Sequence, residues 1–199
     1  MVGIDGFEPW TGIGGKYQAS NPRLLVLGDT RLDAPLTDRE AILRKIGGAP
    51  DLIFTNFEQA VLGRRHWEPG FREAVRTLWE CTLFYNYNAA YAAGPGAAPL
   101  TAAMRLDPRH GQLLRDMLQA WKPTHVVVWG EPNWQALAVA DAAWETQPAI
   151  PSGGGEEPCR SVTLGGQRSL FTRVAHPAAG FAYERWSQLL AQFLRPASG

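Results

Sequence analysis

Apolar positions in this chain fall into short unbroken runs separated by amphipathic stretches. Leu24-Leu25-Val26-Leu27 follows a turn and ends abruptly at Gly28-Asp29-Thr30. Residues 81–85 (Cys-Thr-Leu-Phe-Tyr) and 125–129 (His-Val-Val-Val-Trp) have the same character. Apolar runs without alternation predict strands buried on both faces, as in a parallel sheet. Thr37-Asp38-Arg39-Glu40 is a capping box, so a helix is expected over 38–46, stopped by Gly47-Gly48. Asp107-Pro108 opens another, running to 120 and broken at Lys122-Pro123. Further helices are expected over 71–78, 133–144 and 182–194, and a short strand or extended segment over 52–55. Segments 161–164 and 169–174 flank Gly165-Gly166 and predict a hairpin or adjacent strands. Residues 1–22, rich in Gly and aromatics from 7 onward, read as an ordered loop, and 86–107 as loop-like. Residues 146–158, with three consecutive glycines, read as a flexible loop.

Strands alternating with helices predict a single α/β domain over 1–199, three-layered with a mainly parallel central sheet. Ligands of such sheets bind beyond the carboxyl ends of the strands. That rule selects Asp29 after the first run, Asn86 after the second, Gly130-Glu131 after the third and His176 after the last strand. Each has an ordinary use alone, as a cap, a turn or a loop. An acid, an amide and an imidazole on one rim point to chemistry.

Composition narrows the classes. The 199 residues are 45% hydrophobic and 19% charged, which excludes wholesale disorder, and net charge is zero, which excludes a basic coat for gripping nucleic acid. Cys81 and Cys159 are too few for a CxxC metal site, an iron–sulfur cluster or a disulfide framework, so a reducing compartment is expected. No run approaches the ~20 apolar residues that span a bilayer. Residues 1–10 carry two acids and no basic residue, unlike a signal peptide, so the expected location is cytoplasmic, with no membrane partner. Arginine outnumbers lysine 16 to 3; genome base bias explains this, although arginine is also the better phosphate fork.

The strand-end wording resembles the uracil-DNA glycosylase superfamily. Leu25-Val26-Leu27-Gly28-Asp29-Thr30 matches its first motif, a glycine followed by an acid-bearing loop. Leu83-Phe84-Tyr85-Asn86-Tyr87-Asn88 matches the central strand ending in Asn, Val126-Val127-Val128-Trp129-Gly130 the apolar strand ending in Gly, and Ala175-His176-Pro177 the closing His-Pro. The resemblance is nearest to an uncharacterised bacterial branch with a Phe-Tyr-Asn-Tyr strand end preceded by a Trp, here Trp79. It implies a metal-independent, cofactor-free, monomeric DNA glycosylase acting in DNA repair on single- or double-stranded DNA. A flipped uracil, damaged or modified base would be released by hydrolysis of its N-glycosidic bond.

On that reading Asp29 stabilises the oxocarbenium-like sugar and positions or activates water, while His176 donates to the leaving base. Asn86 reads the base edge, with Asn88 the alternative amide. Tyr17 is the preferred aromatic wall, with Phe54, Phe57, Tyr85 and Tyr87 as further candidates. Arg105 contacts phosphate, and Phe181 either plugs the duplex gap or staples the last helix. Gly28, Thr30 and Pro177 shape the strand-end loops. Two departures touch the site: Thr30-Arg31 stands where the superfamily has a Pro-Gly or Pro-Tyr turn, and Ala178 where it has Ser. Both are compatible with a modified or bulkier base, or with an inactive binding version.

Two other readings use the same residues. Gly28-Asp29-Thr30 and His176-Pro177 also resemble the ends of an SGNH esterase, but Thr30 would replace its serine, and Arg173 stands where that family has the Asp that orients the imidazole. The other is a non-catalytic nucleic-acid-binding or interaction module, which zero net charge suits.

Overall fold

In the computed structural model, residues 7–29, 37–49, 51–89, 100–178 and 180–195 are described. They form a mixed α/β fold around a six-stranded sheet: β1 (Leu24–Gly28), β2 (Thr82–Asn86), β3 (His125–Trp129), β4 (Glu145–Ser152), β5 (Gly155–Leu164) and β6 (Gln167–Val174). The order is β2-β1-β3-β6-β5-β4; the first four strands are mutually parallel, and β5 and β4 are added antiparallel.

The unbroken apolar runs form the strands expected of them, because both faces of the sheet are covered. Leu24 and Val26 of β1 point to one core, Leu25 and Leu27 to the other. The helices are α1 (Lys16–Ala19), α2 (Asp38–Ile46), α3 (Leu52–Leu62), α4 (Phe71–Glu80), α5 (Ala102–Arg105), α6 (Pro108–Trp121), α7 (Glu131–Ala136) and α8 (Tyr183–Phe193). The first core takes its helical side chains from α2, α3, α4 and α8, the second from α1, α6 and α7. The exposed edge of β2 is closed by Trp10, whose backbone pairs with Phe84 in both directions. Among the described residues no helix is long and apolar enough to cross a membrane.

Three expectations are corrected. Residues 52–55 open helix α3 rather than a strand. Asp51 caps it, accepting from the amides of Ile53 and Phe54, and Gly63 ends it in the left-handed region. The short apolar opening belongs to a helical period: Phe57 and Ala60 are buried on the face that Phe54 and Val61 extend. Residues 146–158 are not a loop but most of an antiparallel hairpin, β4 and β5, turning at Gly153-Gly154. β4 is largely exposed and carries Pro148 and Pro151, so it shows no apolar run; the register shift between Gln147 and Ile150 accommodates Pro148 at this sheet edge. The helix expected over 133–144 is the six-residue α7, and the chain from Leu137 leads into β4.

Candidate functional site

The site is built where β1, β2, β3 and β6 end. Asp29 follows β1. Its Oδ1 accepts from Asn88 Nδ2 at 2.9 Å and from Arg105 Nη1 at 2.6 Å, and its Oδ2 accepts from Arg105 Nη2 at 3.3 Å. Asn133, in the first turn of α7, closes the knot. Its Oδ1 accepts from Asn88 Nδ2 at 2.9 Å and Arg105 Nη1 at 2.7 Å, and its Nδ2 donates to the carbonyls of Gly28 and Trp129 at 3.2 and 3.1 Å. Those carbonyls end β1 and β3, so one buried amide ties two strand ends to a helix, a turn residue and a cation. Sequence reading did not find Asn133. The available signal was its place in the first helical turn after Gly130-Glu131, beside the rim.

Asn86 and Asn88, two residues apart, take different partners. Asn86 belongs to Asp38, itself buried: its backbone N–H donates to Asp38 Oδ2 at 3.0 Å and its Nδ2 to Asp38 Oδ1 at 2.6 Å. A carboxylate accepts only, so Asp38 fixes the amide orientation and leaves Asn86 Oδ1 as an acceptor on the other side. Asp38 reads in the sequence as part of a capping box, and α2 has that box, formed by Thr37 and Glu40. Its second duty, orienting Asn86, is not visible there. Gly28 makes room for this arrangement. A Cβ on Gly28 would overlap Asn86 Oδ1 and lie 3.0 Å from Phe84 Cζ.

His176 stands one residue beyond Ala175, after β6. Its Nδ1 accepts the backbone N–H of Ala178 at 3.2 Å. Burial lowers its pKa below the ordinary value; the Asp29 charge pulls the other way and that of Arg105 adds to the lowering. A neutral imidazole whose Nδ1 accepts carries its proton on Nε2, which is thereby a donor. Asn56 Nδ2 holds the His-Pro turn through the Pro177 carbonyl at 2.7 Å, and the Trp129 ring stands edge-on to the imidazole, centroids 6.2 Å apart.

The aromatic candidates separate. Phe54 is half-buried and packs between Phe84 and Trp129, at 5.3 and 5.6 Å, on the side of the sheet that holds Asn86. Tyr17 does not join the site: it is buried against Trp121 at the amino ends of the strands. Tyr85 is a core residue facing Phe7, on the sheet face opposite Phe84, and Tyr87 is buried against α7 with its hydroxyl accepting from Ala138 N. Phe57 is buried between Trp79 and Trp129. Phe181 lies against Trp186, the stapling alternative. Thr30 lies outside the described residues.

A cleft of about 980 Å³ lies elsewhere, between α2, α3 and α4, and none of these rim residues lines it. Its floor is a buried ion pair, Lys45 Nζ to Glu58 Oε2 at 3.2 Å, with Trp79 Nε1 donating to Glu58 Oε1 at 2.7 Å. Burial pushes the Glu58 carboxyl above its ordinary pKa. These contacts join three helices, while Glu58 Oε2 has the Lys45 ion pair and, among the described residues, no hydrogen-bond partner. Among the described residues no cluster of three or more His, Cys, Asp or Glu side chains could hold a metal. Arg173 pairs with Glu131 and Glu157, so it brings no carboxylate to His176 of the kind an esterase triad needs.

No protein-family model matches the chain, and no curated protein matches it. The functional reading therefore rests on the geometry of the rim and on the motif resemblance.

Proposed function

We propose that this chain is a DNA glycosylase with a three-layer fold of the uracil-DNA glycosylase type, hydrolysing the N-glycosidic bond of a flipped base. The observation that carries the reading is the imidazole. His176 is half-buried, biased toward neutrality, and carries its Nε2–H at the strand-end rim that also holds a carboxylate and an oriented amide. In the reaction, water oxygen attacks the sugar carbon while the carbon–nitrogen bond breaks and its electron pair leaves on the base. Asp29 accepts the proton from water, and His176 Nε2–H stabilises the charge developing on a base carbonyl oxygen. Asn86 Oδ1 accepts from a base N–H, and Phe54 supplies the stacking wall.

The test is mass-spectrometric detection of free bases released from oligonucleotides carrying uracil and a panel of damaged and modified bases. Release is expected for at least one, falling about a hundredfold or more in Asp29→Ala and in His176→Ala. No release from any substrate overturns the assignment. The second reading is a nucleic-acid-binding or interaction module without catalysis. The pair Arg105–Asp29 favours it, since both carboxylate oxygens already accept hydrogen bonds. DNA binding without base release, unaltered by Asp29→Ala, selects that reading.

A further inference from the structure

The resting state of Asp29 is at odds with its proposed task. A carboxylate that is to take a proton from water needs an acceptor position open toward that water, and of about four such positions on Asp29 three are filled by protein donors. Here Oδ1 carries donors from Arg105 and Asn88, and Oδ2 a donor from Arg105. Arg105 does not point outward to a phosphate, as expected from sequence; its side chain is 15% exposed and folded onto Asp29.

Arg105 is nevertheless attached to the least anchored corner of the rim. It is the last residue of the four-residue helix α5, none of whose residues is fully buried. Leu106, next in the chain, is 64% exposed. The guanidinium makes polar contacts to Asp29 and to Asn133 Oδ1. A phosphodiester offers a guanidinium the same two-oxygen geometry as a carboxylate. Departure of Arg105 leaves Asp29 in place, because Asn88 still donates to it and Asn133 still holds Asn88 and both strand ends.

We propose that Arg105 is a phosphate-exchange site: a phosphodiester of the substrate strand draws its guanidinium from Asp29 and so frees the carboxylate to activate water. This rests on reading Asp29 as the water-activating group. Arg105 is a positioning residue in it, coupling strand engagement to the readiness of Asp29. A nucleoside, lacking phosphate, leaves the pair closed, so hydrolysis is confined to polymer.

The test follows the Arg105 Nε–H and the side-chain amides of Asn88 and Asn133 by NMR in the full chain. The probes are a five-nucleotide single-stranded DNA, its uncharged methylphosphonate counterpart, and inorganic phosphate. The charged oligomer is expected to shift all three residues saturably and the methylphosphonate to leave them unmoved. Shifts from inorganic phosphate at similar concentration would make the site one for free phosphate and overturn the strand assignment. Kinetically, Arg105→Ala should lower kcat/KM on the oligomer about tenfold or more while raising it on the corresponding nucleoside. A merely structural pair would lower both together. Arg105 signals unmoved at saturating oligomer, or parallel losses on both substrates, overturn the proposal. If Arg105 responds to DNA but no base is ever released, the glycosylase reading fails and the exchange survives only as a binding contact. If bases are released while Arg105 stays fixed, the exchange fails alone.

Discussion

Asn133→Ala is the sharpest perturbation of the rim, because one buried amide makes four hydrogen bonds there. Two go to strand-end carbonyls, at 3.2 and 3.1 Å, one comes from Asn88 at 2.9 Å and one from the Arg105 guanidinium at 2.7 Å. Neutral bonds contribute about 1 kcal/mol each, and one from a charged donor about 1.5–3 kcal/mol. The gross loss is therefore about 4.5–6 kcal/mol. Arg105 is 15% exposed, so water reaching the vacated space recovers part of it. A net destabilisation of about 3 kcal/mol is expected. The assay is urea unfolding at pH 7; with a slope of about 2–3 kcal/mol per molar, the midpoint should drop by about 1–1.5 M at unchanged slope. A double-mutant cycle with Arg105→Ala should return a coupling of about 1.5–3 kcal/mol, the contribution of the charged-donor hydrogen bond the two side chains share. A destabilisation below about 1 kcal/mol, or additive single effects, would refute the account of Asn133 as the keystone of the rim.

Other outcomes follow from the same geometry. Gly28→Ala pushes a methyl into Asn86 Oδ1 and Phe84, and should destabilise by about 1–3 kcal/mol, with altered Asn86 side-chain amide shifts in NMR; an unmoved amide contradicts the close approach. Tyr17→Phe should be neutral or slightly stabilising in urea unfolding and leave any base release intact, because the Tyr17 hydroxyl is buried without a hydrogen-bond partner, far from the rim. Burial lowers the pKa of His110, His125 and His176, so the unfolded chain binds more protons than the native one just below pH 6.5. Stability should therefore fall as pH drops from 7 toward 5, by at most about 1.4 kcal/mol per pH unit for each histidine. A flat urea midpoint over that range would contradict this. DNA affinity should fall gently with salt, and a log–log slope steeper than about −5 would contradict a sparse-contact interface.

Legibility from sequence tracked burial. β1, β2 and β3 are each buried at every position, and an unbroken apolar run is the direct signature of that environment. β4 is mostly exposed and interrupted by prolines, so its place in the sheet depends on pairing with β5, a partner that no local pattern names. At 52–62 the local signals conflict: Asp51 and Gly63 are sound helix boundaries, but Leu52-Ile53-Phe54 is a short unbroken apolar run, which suits a strand equally well. The rim divides in the same way. Asp29, Asn86 and His176 are reachable from the strand-end rule, which depends only on topology. Asp38, Asn133 and the true partner of Arg105 are not, because each is defined by a contact across the fold. Asp38 and Asn86 are 48 residues apart in sequence, Arg105 and Asp29 76.

Those long-range contacts also bear on the neutral charge of the chain. A protein with 19 basic and 19 acidic residues can still engage a polyanion if its cations are released where they are needed. The described rim holds its nearest cation, Arg105, against Asp29, so the resting surface there presents little net charge to non-specific DNA. Engagement then costs the protein an internal ion pair and gains a phosphate contact, a near-balanced exchange that favours a strand placed correctly over one that merely collides. On this argument neutrality is a selectivity device. It predicts that Arg105→Ala, which leaves Asp29 uncompensated, weakens binding to undamaged DNA by more than one phosphate contact, through repulsion by the exposed carboxylate. Asp29→Asn, which frees the arginine, should strengthen it and steepen the salt dependence by about one unit. Both are read by fluorescence anisotropy across a salt series, and equal affinities for the two variants would sink the idea.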